Sequence, residues 1–254
     1  MNVRSKLPKT GGRKLYYLIG DDLQANGIKL GRDKLFAFLR EEHLLVTKPK
    51  KYHNTTNSRH WMRKYPNLIK ELVISRPEQV WVADITYLQA QGKHHYLHLI
   101  TDACSKKIMG YKLANNLQAQ STLDALTIAL SSRTTELPLI HHSDRGLQYC
   151  SSLYTETLRA NHITISMTES YDPYENAVAE RVNGILKQEF YLDDNFESEQ
   201  QMKKQVNQAI KLYNQLRPHL SIKMQTPNQA HLKKSIQLKS WKKQTHLQSR
   251  KWVH

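Results

Sequence analysis

Hydrophobic residues in the first 45 positions recur at helical spacing. In "GRKLYYLIGDDLQA" (12–25), Leu15, Leu18, Ile19 and Leu23 fall on one side, which predicts a helix. "NGIKLG" follows and predicts a turn around Gly27. "RDKLFAFLREEHLL", from Arg32, predicts a second short amphipathic helix with Leu35, Phe36, Phe38 and Leu39 apolar. Two short helices across a glycine turn describe either a helix-turn-helix, offering Arg32, Lys34 and Arg40 to DNA, or a plain packing hairpin. The periodicity then lapses. Residues 46–78 are basic and irregular and read as a linker with room for one short helix.

From residue 79 the pattern changes to β-formers. "QVWVADITYL" (79–88) predicts a buried strand, "QAQGK" a turn, and "HHYLHLIT" (94–101) and "KIMGYKLA" (107–114) two further strands in an antiparallel meander. "QAQSTLDALTIALSS" (118–132) is a helix with Leu123, Leu126, Ile128 and Leu130. "PLIHHS" (138–143) is a fourth strand, parallel to the first because it follows a helix. "SSLYTETLRANH" is a helix, "ITISM" a fifth strand, and "YENAVAERVNGILKQEF" a long helix. The order βββαβαβα predicts an α/β fold, a mixed five-stranded sheet flanked by helices.

Composition bounds this picture. The 254 residues, 39% hydrophobic, suffice for one sizeable core with smaller appendages. No run of about 18 apolar residues is present to span a membrane. The basic N-terminus lacks the apolar stretch of a secretory signal. Two distant cysteines, Cys104 and Cys150, suit a reduced, cytoplasmic protein. The histidine pairs His94–His95 and His141–His142 have no cysteine near enough for a structural zinc site.

Charge is more specific. Residues 1–80 hold 17 Lys and Arg against 7 Asp and Glu, residues 81–214 hold 12 against 15, and residues 215–254 hold 9 against none. Two basic flanks therefore bracket a slightly acidic middle. They fit a polyanion such as nucleic acid, although basic tails also serve solubility alone.

Three acids stand out by position. Asp84 lies inside the first strand, where an unpaired charge is costly. Asp144 follows the fourth strand, and pairing of strands four and one makes the two carboxylates neighbours. Close carboxylates repel unless a divalent cation lies between them. Magnesium accepts one or two carboxylates together with water and phosphate oxygens, and two such ions about 3.5–4 Å apart serve phosphodiester chemistry. The third acid is chosen from Glu175, Glu180 and Glu189. At 100° per residue Val178, Val182, Ile185 and Leu186 form the apolar face. Glu180 points away from it, with Asn183 and Lys187 on its side. Glu189 lies near the apolar stripe, and Glu175 suits the helix start. Taken singly, Asp144 is an ordinary turn residue and Glu180 an ordinary solvated one. Asp102 in "TDACSKK" reads as a turn former. His141 and His142 are expected one towards the core and one towards the edge. Arg145 and Gly146 read as the turn, and Gln148 as facing substrate.

With "WVADITYL", "HHSDRGLQYCS" and "YENAVAERVNGILKQE" in this order, and 35 residues between Asp144 and Glu180, the sequence resembles bacterial insertion-sequence transposases of the OrfB type. These belong with retroviral integrases in the RNase H-like superfamily. "YNQLRPHLSIKMQTP" (213–227) resembles the segment closing the domain, and the resemblance spans roughly residues 12–230. It implies that Asp84, Asp144 and Glu180 form the catalytic, metal-binding triad, holding two Mg2+ ions for which Mn2+ can substitute. It also implies that Lys187 helps hold end DNA. One departure is Glu175, where the family usually has aspartate before Asn176.

The expected function is metal-dependent DNA strand cleavage and strand transfer. Arg145, Asn183, Lys187, Arg32, Lys34 and Arg40 are the candidate DNA contacts. The division expected is a helix-turn-helix-like region (1–45), a basic linker (46–78), an RNase H-like core (79–214) and a basic C-terminal segment (215–254). The expected partners are DNA, as element ends and target, a homo-oligomer on that DNA, and an upstream-frame product or fusion, since the chain starts where a second-frame product would. No membrane is expected, and the expected location is the bacterial cytoplasm at the nucleoid. A cellular RNase H-like nuclease and a transposase-derived DNA-binding regulator without catalysis are the rival readings.

Overall fold

The structure, a computed structural model, describes residues 3–46, 61–169 and 176–238. Four helices come first: α1 (Val3–Lys6), α2 (Gly12–Leu18), α3 (Gly20–Ala25) and α4 (Arg32–Glu41). The helix expected over 12–25 is broken at Ile19, which closes α2 and opens α3. Gly27 takes a positive φ of 66° in the turn that follows, a conformation glycine adopts at no steric cost.

The sheet comprises β1 (Val80–Ala90), β2 (Lys93–Asp102), β3 (Ile108–Ala114), β4 (Leu139–Ser143), β5 (Ile163–Met167) and β6 (Asn195–Phe196). Its helices are α5 (Ala119–Ser131), α6 (Leu147–Cys150), α7 (Ser152–Ala160), α8 (Ala177–Glu189), α9 (Glu199–Leu216) and α10 (Pro227–His231), with a 3-10 turn at Leu220–Ile222. The strand order is β3-β2-β1-β4-β5. The first three strands are antiparallel, and β4 runs parallel to β1 and β5 parallel to β4. The sheet has six strands rather than the expected five, because the two-residue β6 pairs with the far end of β1. A segment so short carries no period for a sequence reading to detect.

Alternation along β1 sets the two faces. Trp81, Ala83 and Ile85 join the cluster of α5 and α7, with Leu126, Tyr154 and Leu158. Val80 and Val82 meet Val178 and Ala179 of α8 on the other face, and Leu88 and Ala90 meet the α8–α9 cluster. Gly110 of β3 lets α5 approach closely: a Cβ there would lie 2.2 Å from the Ala125 carbonyl oxygen.

The long helix α9 was not among the expected elements. Its signal is present in the chain: Met202, Val206, Ala209, Ile210 and Tyr213 are buried at helical spacing, and the Ser198 side chain accepts from the Gln201 amide as an N-cap.

The flanking segments share this packing. Val3, Leu7, Leu15, Leu35 and Leu39 of the N-terminal helices lie in one cluster with Leu186, Val206 and Ile210. Lys14 reaches Glu189 at 3.1 Å. Within the stretch read as linker, Ile69, Leu72 and Ile74 pack against the core; residues 47–60 lie outside the described residues. In the C-terminal segment, Arg217 is buried and grips Glu189 with two bonds of 2.6 and 2.8 Å. Ile222, Ala230 and Ile236 pack on Cys104, and residues 239–254 lie outside the described residues.

Candidate active site

The site begins with the register of β1 against β4. Val80 pairs with Ile140, Trp81 with His141 and Val82 with His142. Two residues further, the same register sets Asp84 level with Asp144. Asp84 has the parity of Val82 and so lies on the α8 face, where the charge of Asp144 acts on it. β4 ends at Ser143, and Asp144 opens the turn. The turn is fixed by the Gly146 amide, which donates to Asp144 Oδ1 at 3.0 Å.

Asp84 is held from two sides. The Ile85 amide donates to its Oδ1 at 2.9 Å, and the Asn183 side-chain amide donates to its Oδ2 at 2.7 Å. Burial, and next the charge of Asp144, push the Asp84 carboxyl up to about 7; the two hydrogen bonds oppose this, and the charge of Glu180 adds to it. Tyr149 is buried nearby, and burial with the charges of Asp144 and Asp84 keeps its phenol protonated well above the usual range.

Asp84 and Asp144 are thus brought together. Glu180 stands exposed in the first turn of α8 and acts on Asp84 through its charge. Among the described residues no three His, Cys, Asp or Glu side chains converge closely enough to hold a metal ion. Glu175 lies outside the described residues.

The sequence put Asn183 and Lys187 on an open side of α8. The structure covers that side with β1, and both are buried. Asn183 serves Asp84 rather than solvent. The Lys187 ammonium lies 4.0 Å from the centre of the Tyr87 ring and 3.9 Å from Asp193. Burial lowers its pKa, against the opposing charges of Asp193 and Asp84. Arg32, Lys34 and Arg40 are exposed on α4, where Arg32 pairs with Asp33 at 2.9 Å. Arg145 is half-buried beside Asp144. Gln148 donates to the Leu117 carbonyl at 3.0 Å.

His141 and His142 are both buried, contrary to the expected division. Strand β4 is covered on both faces, so neither parity reaches an edge. His141 bonds the Tyr154 hydroxyl at 2.9 Å and His142 bonds Ser166 at 2.8 Å. Asp102 is the turn residue expected: it accepts from the Ser105 amide and hydroxyl and from the Glu78 amide, at 2.6–2.8 Å.

Asn176 escaped the sequence reading. Its side-chain amide donates to the Ala83 carbonyl at 3.1 Å. Asn176 and Asn183 are two turns apart on one stripe, and together they clamp α8 to residues 83 and 84. That seven-residue spacing was readable, but its partner strand was not.

Comparison with known proteins gives a consistent pattern. An integrase core domain family matches residues 74–173, and a second integrase core domain family matches residues 161–227. The chain is 34% identical over 200 residues to the insertion element IS600 uncharacterized 31 kDa protein of Shigella sonnei, across 78% of this chain and 74% of that one. It is 31% identical over 201 residues to the transposase InsF for insertion sequence IS3A of Escherichia coli K12, across 78% and 70%. Among solved structures it resembles the HTLV-2 integrase catalytic core domain in complex with magnesium, with TM-score 0.50 and 24% identity over 61% of this chain and 97% of that one. It also resembles the simian T-cell lymphotropic virus intasome, with TM-score 0.54 and 19% identity over 88% and 75%. These two likenesses concern the fold, a mixed sheet flanked by helices.

Proposed function

The chain belongs to the insertion-sequence transposases with an integrase core, enzymes of DNA cleavage and joining, and from that premise we propose that Asp84, Asp144 and Glu180 are its catalytic carboxylates. The observation that carries this reading is the parallel register of β1 and β4, which runs on to set Asp84 level with Asp144 so that the charge of one acts on the other. Their oxygens are hard donors suited to Mg2+ or Mn2+, and the Asp84 carboxyl, raised first by burial and next by the charge of Asp144, is a group whose ionised form a bound cation would favour. A divalent cation bound there supplies charge neutralisation at the phosphodiester.

The chain's own residues do the rest. Asn183 fixes the orientation of Asp84, and the Gly146 amide fixes that of Asp144. Glu180, exposed at the start of α8, completes the set by turning towards the pair. Lys187 supplies positive charge close to Asp84 and to the DNA phosphates. Arg145 supports the DNA beside Asp144, and Arg32, Lys34 and Arg40 bind it at a distance from the chemistry. The functional division proposed is a DNA-binding region at 1–45, a linker at 46–78, the catalytic core at 79–214 and a basic segment at 215–254. The assembly proposed is a homo-oligomer on paired element ends, with an upstream-frame product or fusion as a further partner. No described helix is long and apolar enough to cross a membrane.

Asp144→Asn tests the reading. With labelled duplex from the element's ends and Mg2+, the variant loses cleavage and joining and keeps its DNA affinity. Continued cleavage by the variant refutes the assignment. A wild type that hydrolyses without ever joining strands points to a nuclease instead.

A further inference from the structure

Residues 61–65, "WMRKY", face two ways. Met62 and Tyr65 turn inward and pack against the cluster that holds Tyr149, Cys150 and Met167. Arg63 and Lys64 are exposed, and Trp61 is 92% exposed. An indole left so fully in water is unusual for so large an apolar surface.

The segment is held in place. Arg159 of α7 donates to the Tyr65 hydroxyl at 2.5 Å, and the Arg63 guanidinium lies 5.3 Å from the Tyr65 ring centre. The next residues run along the edge strand of the sheet. The Met167 amide donates to the Pro66 carbonyl at 3.2 Å, and the Leu68 amide donates to the Ser166 hydroxyl at 2.9 Å.

This fixes where the anchored residue Pro66 lies relative to the carboxylates, with Trp61 five residues before it. Ser143 pairs with Met167, so Pro66, β5 and β4 lie side by side at the end of the sheet where Asp144 stands. Two spacings of about 4.8 Å put Pro66 about 10 Å from the end of β4, or about three base steps along a strand. The charges of Lys64 and Arg145 accordingly both act on the Cys150 thiol, against that of Asp144.

An exposed aromatic ring beside an anchored segment, with two exposed cations two and three residues further on, offers what an unpaired base on a DNA strand requires: a face to stack on and charges for its phosphates. We propose that Trp61, with Arg63 and Lys64, is a stacking platform for an unpaired nucleotide of the DNA strand leading into the Asp84–Asp144 site. In a duplex the base faces are stacked on one another and only the terminal pairs expose one, so the platform favours frayed or single-stranded ends over intact duplex. The proposal rests on the DNA-processing reading of that site.

The test is binding by the full chain in an Asp144→Asn background, so that its result is independent of whether the carboxylates cleave. The probes are a labelled blunt duplex of mixed sequence and the same duplex with a five-nucleotide single-stranded extension. Trp61→Ala weakens binding to the extended probe about tenfold and changes the blunt probe much less, and Trp61→Phe restores most of the loss. Arg63→Ala with Lys64→Ala weakens both probes and flattens their salt dependence. Equal losses on both probes for Trp61→Ala, or none on either, overturn the proposal. So does a Trp61→Ala variant with unchanged DNA binding but lost self-association in ultracentrifugation, which makes the indole an interface between copies.

Discussion

The side-chain amide of Asn183 donates to Asp84 at 2.7 Å across the contact between α8 and β1, so the strand's buried carboxylate is oriented by a helix 99 residues away in sequence. Asn183 touches no reacting atom in this arrangement; it acts through Asp84. Replacing it with leucine keeps the branching and the number of heavy atoms and removes the bond. Asn183→Leu is expected to lower the rate of metal-dependent cleavage about 10–100-fold, the usual cost of losing a ligand's outer partner, with DNA affinity unchanged. A higher Mg2+ concentration should recover part of the loss, which a merely destabilised fold would not show.

The pH dependence of stability follows from Asp84. Its folded pKa of about 7 lies above the ordinary 3.8, so the native chain holds this proton more tightly than the unfolded chain does. That contribution is fully present below the ordinary value and is lost as pH rises through about 7. Urea unfolding with chelator should therefore show the wild type losing stability relative to Asp84→Asn from pH 4 to pH 7, by at most about 4 kcal/mol from this group. The buried His98, His141 and His219, whose pKa values burial lowers, act in the opposite sense in both chains and cancel in the comparison. Mg2+ added at pH 8 should raise the melting temperature of the wild type and leave that of Asp84→Asn nearly unmoved.

Arg217 is 2% exposed and forms a two-bond pair with Glu189, which Lys14 also reaches. This cluster joins the N-terminal helices, the end of α8 and the C-terminal segment. Arg217→Ala leaves the Glu189 carboxylate without its buried partner and should cost about 3–5 kcal/mol in urea unfolding. Replacing Arg217, Glu189 and Lys14 together by Leu or Met should cost much less, because no charge is then stranded.

Gly110→Ala tests the close approach of α5 to β3. The added Cβ would meet the Ala125 carbonyl oxygen at 2.2 Å and the Ala129 amide nitrogen at 2.6 Å, both backbone atoms that cannot rotate away. A destabilisation of about 1–3 kcal/mol or more is expected in thermal unfolding. Gly11→Ala, with open space around its Cβ position, is the control.

The amino-acid sequence by itself determined the five longer strands, the helices α5, α7 and α8 between and after them, and the parity of β1. The runs around Trp81, His95 and Met109 specify strands because β-branched and aromatic residues fit a pleated surface, and residues 163–167 form β5 as read. The position of Asp84 inside such a run marked it as costly, and its order with Asp144 and Glu180 carried the family resemblance. The burial of Asn183 and Lys187 was not legible, because the helix pattern showed which side was polar but not that β1 would lie against it. Nor was the pairing of Glu189 with Arg217, or the docking of Leu15 and Leu35 into the same core as Ile210. Those were decided only by the tertiary structure. Periodicity reports what each residue sees along its own segment, whereas the partner of a buried polar group is fixed by which distant segments pack together.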